Sequence, residues 1–237
     1  MKDIMDLHTH TLASGHAFNS MLEMVDAAIL KGIQLFGITD HAPAMPGGAH
    51  EYHFECLKLL PRTIKGLSIL HGAECNILTD KGELDIENTL LEEMDIVIAS
   101  IHGPCIRERT REYCTNAIIA TMDNPYVNII GHPDDSRFPL EYEPIVKKAK
   151  EKGILLEVNN SSLMPVGFRK NARENYIKML TLCKEQGVSI IINSDAHYID
   201  RVGLHENAWE VIKEVDFPEE LIVNTSIERF RKFVNKG

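Results

Sequence analysis

The chain has 237 residues, of which 44% are hydrophobic, and a formal net charge of −10 at pH 7. This composition predicts a protein with a sizeable buried core, which we expect to form a single domain over residues 1–237. The acidic balance argues against a nucleic-acid partner, because phosphate backbones are bound by dense patches of Lys and Arg. No run approaches the roughly 18 apolar residues of a membrane span, and no secretory signal is recognisable, so we expect a cytoplasmic protein.

Short apolar runs alternate with longer amphipathic segments along the chain. The predicted strands are 4–7, 35–39, 67–73, 95–100, 127–130, 154–158 and 188–192, and residues 84–86 could add a small strand. The predicted helices are 20–31, 54–65, 109–122, 143–151, 172–185 and 204–215. Alternating β and α units predict a parallel α/β sheet covered on both faces, and seven units predict a closed or nearly closed (β/α)7 TIM-like barrel.

Residue types that bind metals gather where these strands end. The motifs are Asp-Leu-His-Thr-His at 6–10, Thr-Asp-His at 39–41, Ala-Glu at 73–74, Ser-Ile-His at 100–102, Gly-His-Pro-Asp at 131–134, Glu-Val-Asn-Asn at 157–160 and Asn-Ser-Asp-Ala-His at 193–197. In a β/α barrel the carboxyl ends of all strands meet at one face, where such enzymes keep their active sites. The motifs therefore predict one shared site.

The residue types in this site indicate more than one metal ion. A lone buried histidine is more often a hydrogen-bonded core residue than a ligand. Here the predicted ligands are His8, His10, His16, His41, Glu74, His102, His132, Asp195 and His197. A tetrahedral zinc site uses only three or four protein ligands, so this set exceeds one ion. Imidazole-rich sites favour Zn²⁺, with Mn²⁺ or Fe²⁺ as alternatives.

The same motifs resemble the PHP family, named for polymerase and histidinol phosphatase, over nearly the whole chain. The segment 157–162 is most similar to the YcdX-type phosphatases. The resemblance implies a distorted seven-stranded barrel that holds three metal ions. It would assign His8, His10, Glu74 and Asp195 to one ion, His16, His41 and His197 to a second, and Glu74, His102 and His132 to a third.

We therefore expect hydrolysis of a phosphomonoester by a water activated in the metal centre, with Glu74, Asp195 and His41 as catalytic residues. Three divalent ions facing two carboxylates leave a formal surplus of about +4, which selects small phosphorylated substrates. Histidinol phosphate or a phosphodiester are alternative substrates. A metal-binding module without catalysis is the alternative from another functional class.

Substrate contacts are predicted less directly. Arg137 and Arg169 follow the fifth and sixth strand ends and could bind the substrate phosphate, although exposed helix-face charges would look the same. Asn159 could donate a hydrogen bond to substrate or only cap its loop. Asp40 and Asp134 adjoin predicted ligands and could orient imidazoles or protonate a leaving group. The sequence is compatible with a homo-oligomer and does not decide the oligomeric state.

Overall fold

Eight strands form one sheet in this computed structural model, which describes residues 3–234. The strands are β1 (Met5–Asp6), β2 (Leu35–His41), β3 (Thr63–Ile64), β4 (Leu67–Asn76), β5 (Ile96–Ser100), β6 (Ile129–Ile130), β7 (Leu155–Asn159) and β8 (Ile190–Asn193). Seven of them run parallel in the order β1-β2-β4-β5-β6-β7-β8. The predicted seven-stranded α/β barrel is confirmed.

The barrel is nearly closed at the seam between β8 and β1. One parallel bridge joins Thr9 to Ala196 near the carboxyl ends of these strands. Below it, the Asn224 amide donates to the Ile192 carbonyl oxygen at 2.7 Å and to the Met5 carbonyl oxygen at 3.2 Å. Asn224 thus satisfies backbone groups that a continuous ladder would otherwise pair.

Helices cover the outer face of the sheet, and the last of them packs against the amino end of the barrel. They are α1 (Met21–Lys31), α2 (Glu51–Glu55), α3 (Asn88–Leu91), α4 (Arg111–Thr121), α5 (Tyr142–Lys152), α6 (Ala172–Gln186), α7 (Glu206–Glu214) and α8 (Ile227–Val234). Helix α1 begins at a capping box formed by Ser20 and Glu23. Helices α1, α5 and α6 each end at a glycine with positive φ, which is the usual helix C-terminus. None of the helices within 3–234 combines the length and apolarity that a membrane span requires.

The predicted helix at 54–65 is wrong. The segment contains the end of α2, a 3₁₀ turn at Leu57–Leu59 and strand β3, which pairs antiparallel with β4. Pro61 disfavours a continuing helix because it lacks a backbone N–H. Lys65 and Gly66 adopt positive φ values of 51° and 85°, which form a tight hairpin turn. The additional strand considered at 84–86 is limited to one bridge between Ile77 and Leu84.

The barrel interior is apolar at the amino ends of the strands. The buried cluster there consists of Met5, Leu7, Leu35, Ile96, Ile98, Ile129, Leu155, Ile191, Val223 and Phe230. Phe230 belongs to α8, a helix that the sequence did not predict, and it is 1% exposed. Helix α8 packs its apolar side chains against this cluster and covers the amino end of the barrel. The polar residues predicted for the site lie at the opposite end of the strands.

Candidate metal centre

The carboxylate of Glu74, on β4, lies at the centre of the predicted ligand set. One of its oxygens, Oε2, is 2.7 Å from Nδ1 of His41, and the other, Oε1, is 2.8 Å from Nε2 of His132. The Nε2 atoms of His8 and His102 are each 3.3 Å from Oε1. Four strand ends thus direct imidazoles at one fully buried carboxylate, as the common barrel face predicts.

Asp195 provides a second carboxylate in the cluster. Its Oδ1 lies 3.2 Å from Nε2 of His10 and 3.7 Å from Nε2 of His8. Nε2 of His197 lies 3.0 Å from Nε2 of His16, at the exposed edge of the cluster. The structure therefore brings the predicted ligands together around Glu74 and Asp195.

Three overlapping groups of donor atoms have a geometry that could hold metal ions. They are His10 with His41 and His197, His8 with His10 and Glu74, and His41 with Glu74 and His102, each with donor atoms within 4.8 Å of one another. Adjacent groups share His10, His41 or Glu74. Glu74 could serve two of these groups, since its carboxylate has two oxygens, whereas His10 and His41 each offer one lone pair and would each bind one ion.

Several of these atoms are buried without a hydrogen-bond partner. They are Nε2 of His8, Nε2 of His10, both ring nitrogens of His41 and Oε2 of Glu74. Nδ1 of His41 and Oε2 of Glu74 are among them because the 2.7 Å contact between these atoms lacks the angles of a hydrogen bond. An unpartnered buried polar atom costs about 1–3 kcal/mol, so a cluster of them requires an explanation. Metal ions would satisfy one nitrogen of each of these imidazoles and the oxygen of Glu74, and the residues present therefore fit a multinuclear metal site.

Metal ligands must be anionic carboxylates and neutral imidazoles, and the two carboxylates meet this requirement. Burial lowers the pKa of His8, but the carboxylates of Glu157 and Glu74 raise it well above its usual value, so metal binding at His8 would displace a proton. Burial alone would raise the pKa of Glu74, but the imidazoles of His102, His8 and His41 hold it well below its usual value. The pKa of Asp195 is likewise held well below its usual value, because nearby imidazoles outweigh burial. Burial, followed by the Arg169 guanidinium, lowers the pKa of His132 to about 4.

The match of a family model to this region decides the classification. The model described as "PHP domain" matches residues 6–161. The chain belongs to the PHP domain family. A relative from Clostridium botulinum, described as "Probable phosphatase", is 43% identical over 238 residues, covering 100% of this chain and 97% of the relative. A relative from Acetivibrio thermocellus with the same description is 42% identical over 236 residues, with coverage of 100% and 97%.

A solved structure of similar fold supports the barrel architecture. It is the histidinol phosphate phosphatase of Lactococcus lactis, complexed with zinc, L-histidinol and phosphate, with a TM-score of 0.65. The alignment covers 91% of this chain and 95% of that one at 21% sequence identity. The family-model match and the relatives described as probable phosphatases confirm the PHP family and the phosphatase class predicted from the sequence.

Within this PHP domain, Ser14 determines which nitrogen of His10 faces the metal site. The Ser14 hydroxyl donates to Oδ1 of Asp40 at 2.6 Å, so its oxygen acts as an acceptor for other donors. Nδ1 of His10, 3.1 Å away, must therefore carry the ring hydrogen. Nε2 of His10 is left with the lone pair that a metal needs. Asp40 thus orients an imidazole through Ser14, one of the two roles predicted for it.

Two further positioning residues were not predicted from the sequence. Oε1 of Glu157 lies 2.8 Å from Nδ1 of His8, and Oδ1 of Asn76 lies 2.8 Å from Nδ1 of His102. Both partners direct the Nε2 atom of their histidine toward Glu74. Glu157 lies two residues before Asn159, and Asn76 two residues after Glu74. The period of two in a strand was the available signal, since it places each on the inner face.

Two metal-ligand candidates have strained backbones. His132 and Asp195 adopt positive φ values of 31° and 54°, at the chain turns that follow β6 and β8. Gly131 precedes His132 because a Cβ at this position would collide with Oγ of Ser100. Non-glycine residues in this region cost about 1–3 kcal/mol each and cluster at functional sites.

Arg169 and Asn159 contact Asp195 directly. Nη2 of Arg169 lies 3.3 Å from Oδ2 of Asp195, and its Nη1 donates to the Ser162 hydroxyl at 3.1 Å. The Asn159 amide donates to Oε2 of Glu157 and to Oδ2 of Asp195, each at 3.1 Å. Both side chains therefore hold Asp195 in place, and their predicted contacts with substrate stay predictions.

A cavity of about 480 Å³ opens beside the metal-ligand set. Arg137 and Asp134 line it. Nε of Arg137 donates to Oδ2 of Asp135 at 2.7 Å, so its predicted contact with a phosphate also stays a prediction. Burial raises the pKa of Asp134 to about 7, and its Oδ2 atom has no hydrogen-bond partner.

Proposed function

We propose that this PHP domain is a metal-dependent phosphomonoesterase with three zinc ions, bound as the family resemblance implies. The observation that carries the proposal is the set of unpartnered, buried nitrogen and oxygen atoms around Glu74. When bound, such ions supply a water of lowered pKa and neutralise the charge of phosphate oxygens. The YcdX-type specificity, the single domain over 1–237, a homo-oligomer and a cytoplasmic location stay predictions.

The residues of this chain would hold the ions, bind the phosphate and protonate the leaving group. Glu74 and Asp195 would hold the ions as anionic ligands, because both carboxylates have lowered pKa values. The guanidinium of Arg169, 11% exposed, would bind a phosphate oxygen at the rim of the cavity. Asp134 lines the cavity with an unpartnered Oδ2, a location suited to protonating the leaving oxygen.

Hydrolysis of p-nitrophenyl phosphate, measured together with metal content, tests the proposal. We expect about three zinc ions per chain, loss of activity after chelation, and recovery when Zn²⁺ or Mn²⁺ is restored. His41→Ala and Glu74→Ala should abolish both activity and stoichiometric metal binding. His50→Ala is the matched control, because His50 caps α2 outside the cluster. Full activity after thorough metal removal would refute the proposal.

The alternatives give different results in the same assay. Histidinol phosphate is the substrate suggested by the ligands of the Lactococcus lactis protein. A phosphodiesterase would cleave bis-p-nitrophenyl phosphate faster than the monoester. A metal-binding module without catalysis would lose melting temperature on chelation and hydrolyse none of these esters.

A further inference from the structure

The cavity beside the metal centre has an apolar end that the proposed chemistry does not use. Ile101, Ile118, Phe138 and Leu140 line this end, and Met45 lies on the cavity wall. A phosphate group takes up the space of only a few water molecules, at about 30 Å³ each in the liquid. The cavity of about 480 Å³ therefore has room for the leaving alcohol as well.

Aromatic rings in the cavity wall are held in a fixed stack. The guanidinium of Arg137 lies 5.7 Å from the ring centroid of Phe138 and 5.3 Å from that of Phe168. Asp135 fixes this guanidinium with contacts of 2.7 Å to Nε and 2.5 Å to Nη2. Phe138 is 7% exposed, whereas Phe168 is 75% exposed at the cavity rim. A ligand ring beside Phe138 would cover apolar surface that Phe168 now presents to water.

Apart from Oδ2 of Asp134, which the proposed chemistry uses, polar side chains in this wall such as Asp135 and Ser161 already have partners. Both oxygens of Asp135 accept hydrogen bonds, from Arg137 and from the Lys170 backbone N–H. The Ser161 hydroxyl donates to the Ser194 carbonyl oxygen at 2.8 Å. The hydroxyls of a sugar or polyol would therefore lose hydrogen bonds to water without replacement, which costs about 1–3 kcal/mol per group.

Charge at this end also restricts the ligand. The guanidinium of Arg109 lies 5.2 Å from the centroid of Phe138, and Arg137 lies close to the same ring. Asp135 neutralises Arg137, and the Arg109 guanidinium beside Phe138 then disfavours a leaving group that carries an ammonium, since like charges repel across this short distance. An uncharged ring meets no such penalty.

From this wall we infer that the substrate is the phosphomonoester of an uncharged aromatic alcohol, whose ring packs against Phe138 and Phe168. This inference rests on the proposed phosphatase function and names its substrate class. Phe138 and Phe168 then determine specificity without contacting the phosphate.

A comparison of benzyl phosphate with glycerol 3-phosphate tests the inference on zinc-loaded protein. Both esters release a primary alcohol, so the leaving groups differ little in chemistry. We expect kcat/KM for benzyl phosphate to exceed that for glycerol 3-phosphate and for histidinol phosphate by roughly tenfold or more, the size of one apolar pocket contact. Phe138→Ala should remove this preference through KM, and Phe168→Ala should reduce it. Leu30→Ala, which truncates an exposed side chain of α1 away from the cavity, should leave it unchanged.

Binding of benzylphosphonate and methylphosphonate, measured by calorimetry, separates this inference from the proposed function. Tighter binding of benzylphosphonate by zinc-loaded protein without turnover of any ester would contradict the phosphatase proposal and support only an aromatic ligand for the cavity. Turnover with equal or better use of glycerol 3-phosphate or histidinol phosphate would overturn the inference. A Phe138→Ala variant that loses activity equally toward all esters, or equal affinity for the two phosphonates, would also overturn it.

Discussion

The two ends of the barrel use the same strands for opposite purposes. On β7, Leu155 faces the apolar cluster, and Glu157, two residues later, contacts His8. On β2, Leu35 lies in the apolar cluster, and His41 at the other end of the strand contacts Glu74. For side chains that point into the barrel, position along the strand therefore decides whether a residue packs in the apolar cluster or contributes to the candidate metal centre.

This division lets the fold tolerate an unfavourable site. The metal end contains buried carboxylates, unpartnered imidazole nitrogens and two residues with strained backbones. Each of these features costs stability in the metal-free protein. The apolar end supplies compensating burial, and substitutions at the two ends should therefore have separable effects.

The largest expected effect on stability is at the apolar end. Phe230→Ala removes a side chain that is 1% exposed, where α8 packs into the barrel. We expect the free energy of unfolding to fall by about 4 kcal/mol, because burial is lost and a cavity remains. Urea denaturation of the metal-free protein measures this change.

Phosphatase activity and zinc content of the same variant test whether the metal end is independent of the apolar end. Below its melting temperature, Phe230→Ala should retain the kcat, KM and zinc content of the unaltered chain. Loss of zinc at a temperature where the variant is folded would show that the two ends are coupled. The separation drawn between them would then be wrong.

A smaller effect is expected at His205, which supports the seam behind the metal end. Its Nδ1 lies 2.6 Å from Oδ2 of Asp3, and its Nε2 lies 3.6 Å from Oδ1 of Asp6. Asp6 also accepts hydrogen bonds from the backbone and hydroxyl of Ser194, the neighbour of Asp195. His205→Gln should lower the free energy of unfolding by about 3 kcal/mol near pH 6, since it breaks a buried charge pair.

The pH dependence distinguishes this charge from simple packing. Burial alone would lower the pKa of His205, but Asp3 and Asp6 raise it to about 10. A raised folded-state pKa contributes stability that is complete below the unfolded value, about 6.5. This contribution is lost as the pH rises toward 10, so the His205→Gln variant should differ least from the original chain at high pH. A difference that stays constant from pH 6 to pH 10 would contradict the assigned charge.

Local pattern was sufficient to bring the predicted metal ligands to one site. His8 and His10 lie one residue apart after a short apolar run, and strand geometry with a common barrel face leads from that motif to a shared site. Glu74 and Asp195 likewise lie near or just after the carboxyl ends of other strands. Their convergence follows from parallel topology alone and requires no knowledge of individual contacts.

Long-range partners could not be predicted in the same way. The pairing of β3 with β4 depends on a turn at Lys65 and Gly66 that competes with a helical pattern over 54–65. Packing of α8 into the barrel depends on a cavity that exists only after the strands have assembled. Ser14 lies in a 3₁₀ turn, and its importance follows from the side chains that happen to meet there.

The smallest predicted effect is on zinc affinity, and it tests how far the metal end depends on long-range hydrogen-bond partners such as Ser14. Ser14→Ala removes the hydroxyl that accepts from Nδ1 of His10 and from the His41 backbone N–H and that donates to Asp40, without replacing a predicted ligand. Loss of a hydrogen bond that orients a metal-bound histidine typically weakens metal affinity about 10- to 100-fold. Competition with a chelating zinc indicator should show this loss for one ion while the others bind normally. Ser20→Ala, which only removes the cap of α1, should destabilise that helix and leave zinc affinity unchanged. Equal zinc affinity in both variants would mean that burial, and not Ser14, holds His10 in position.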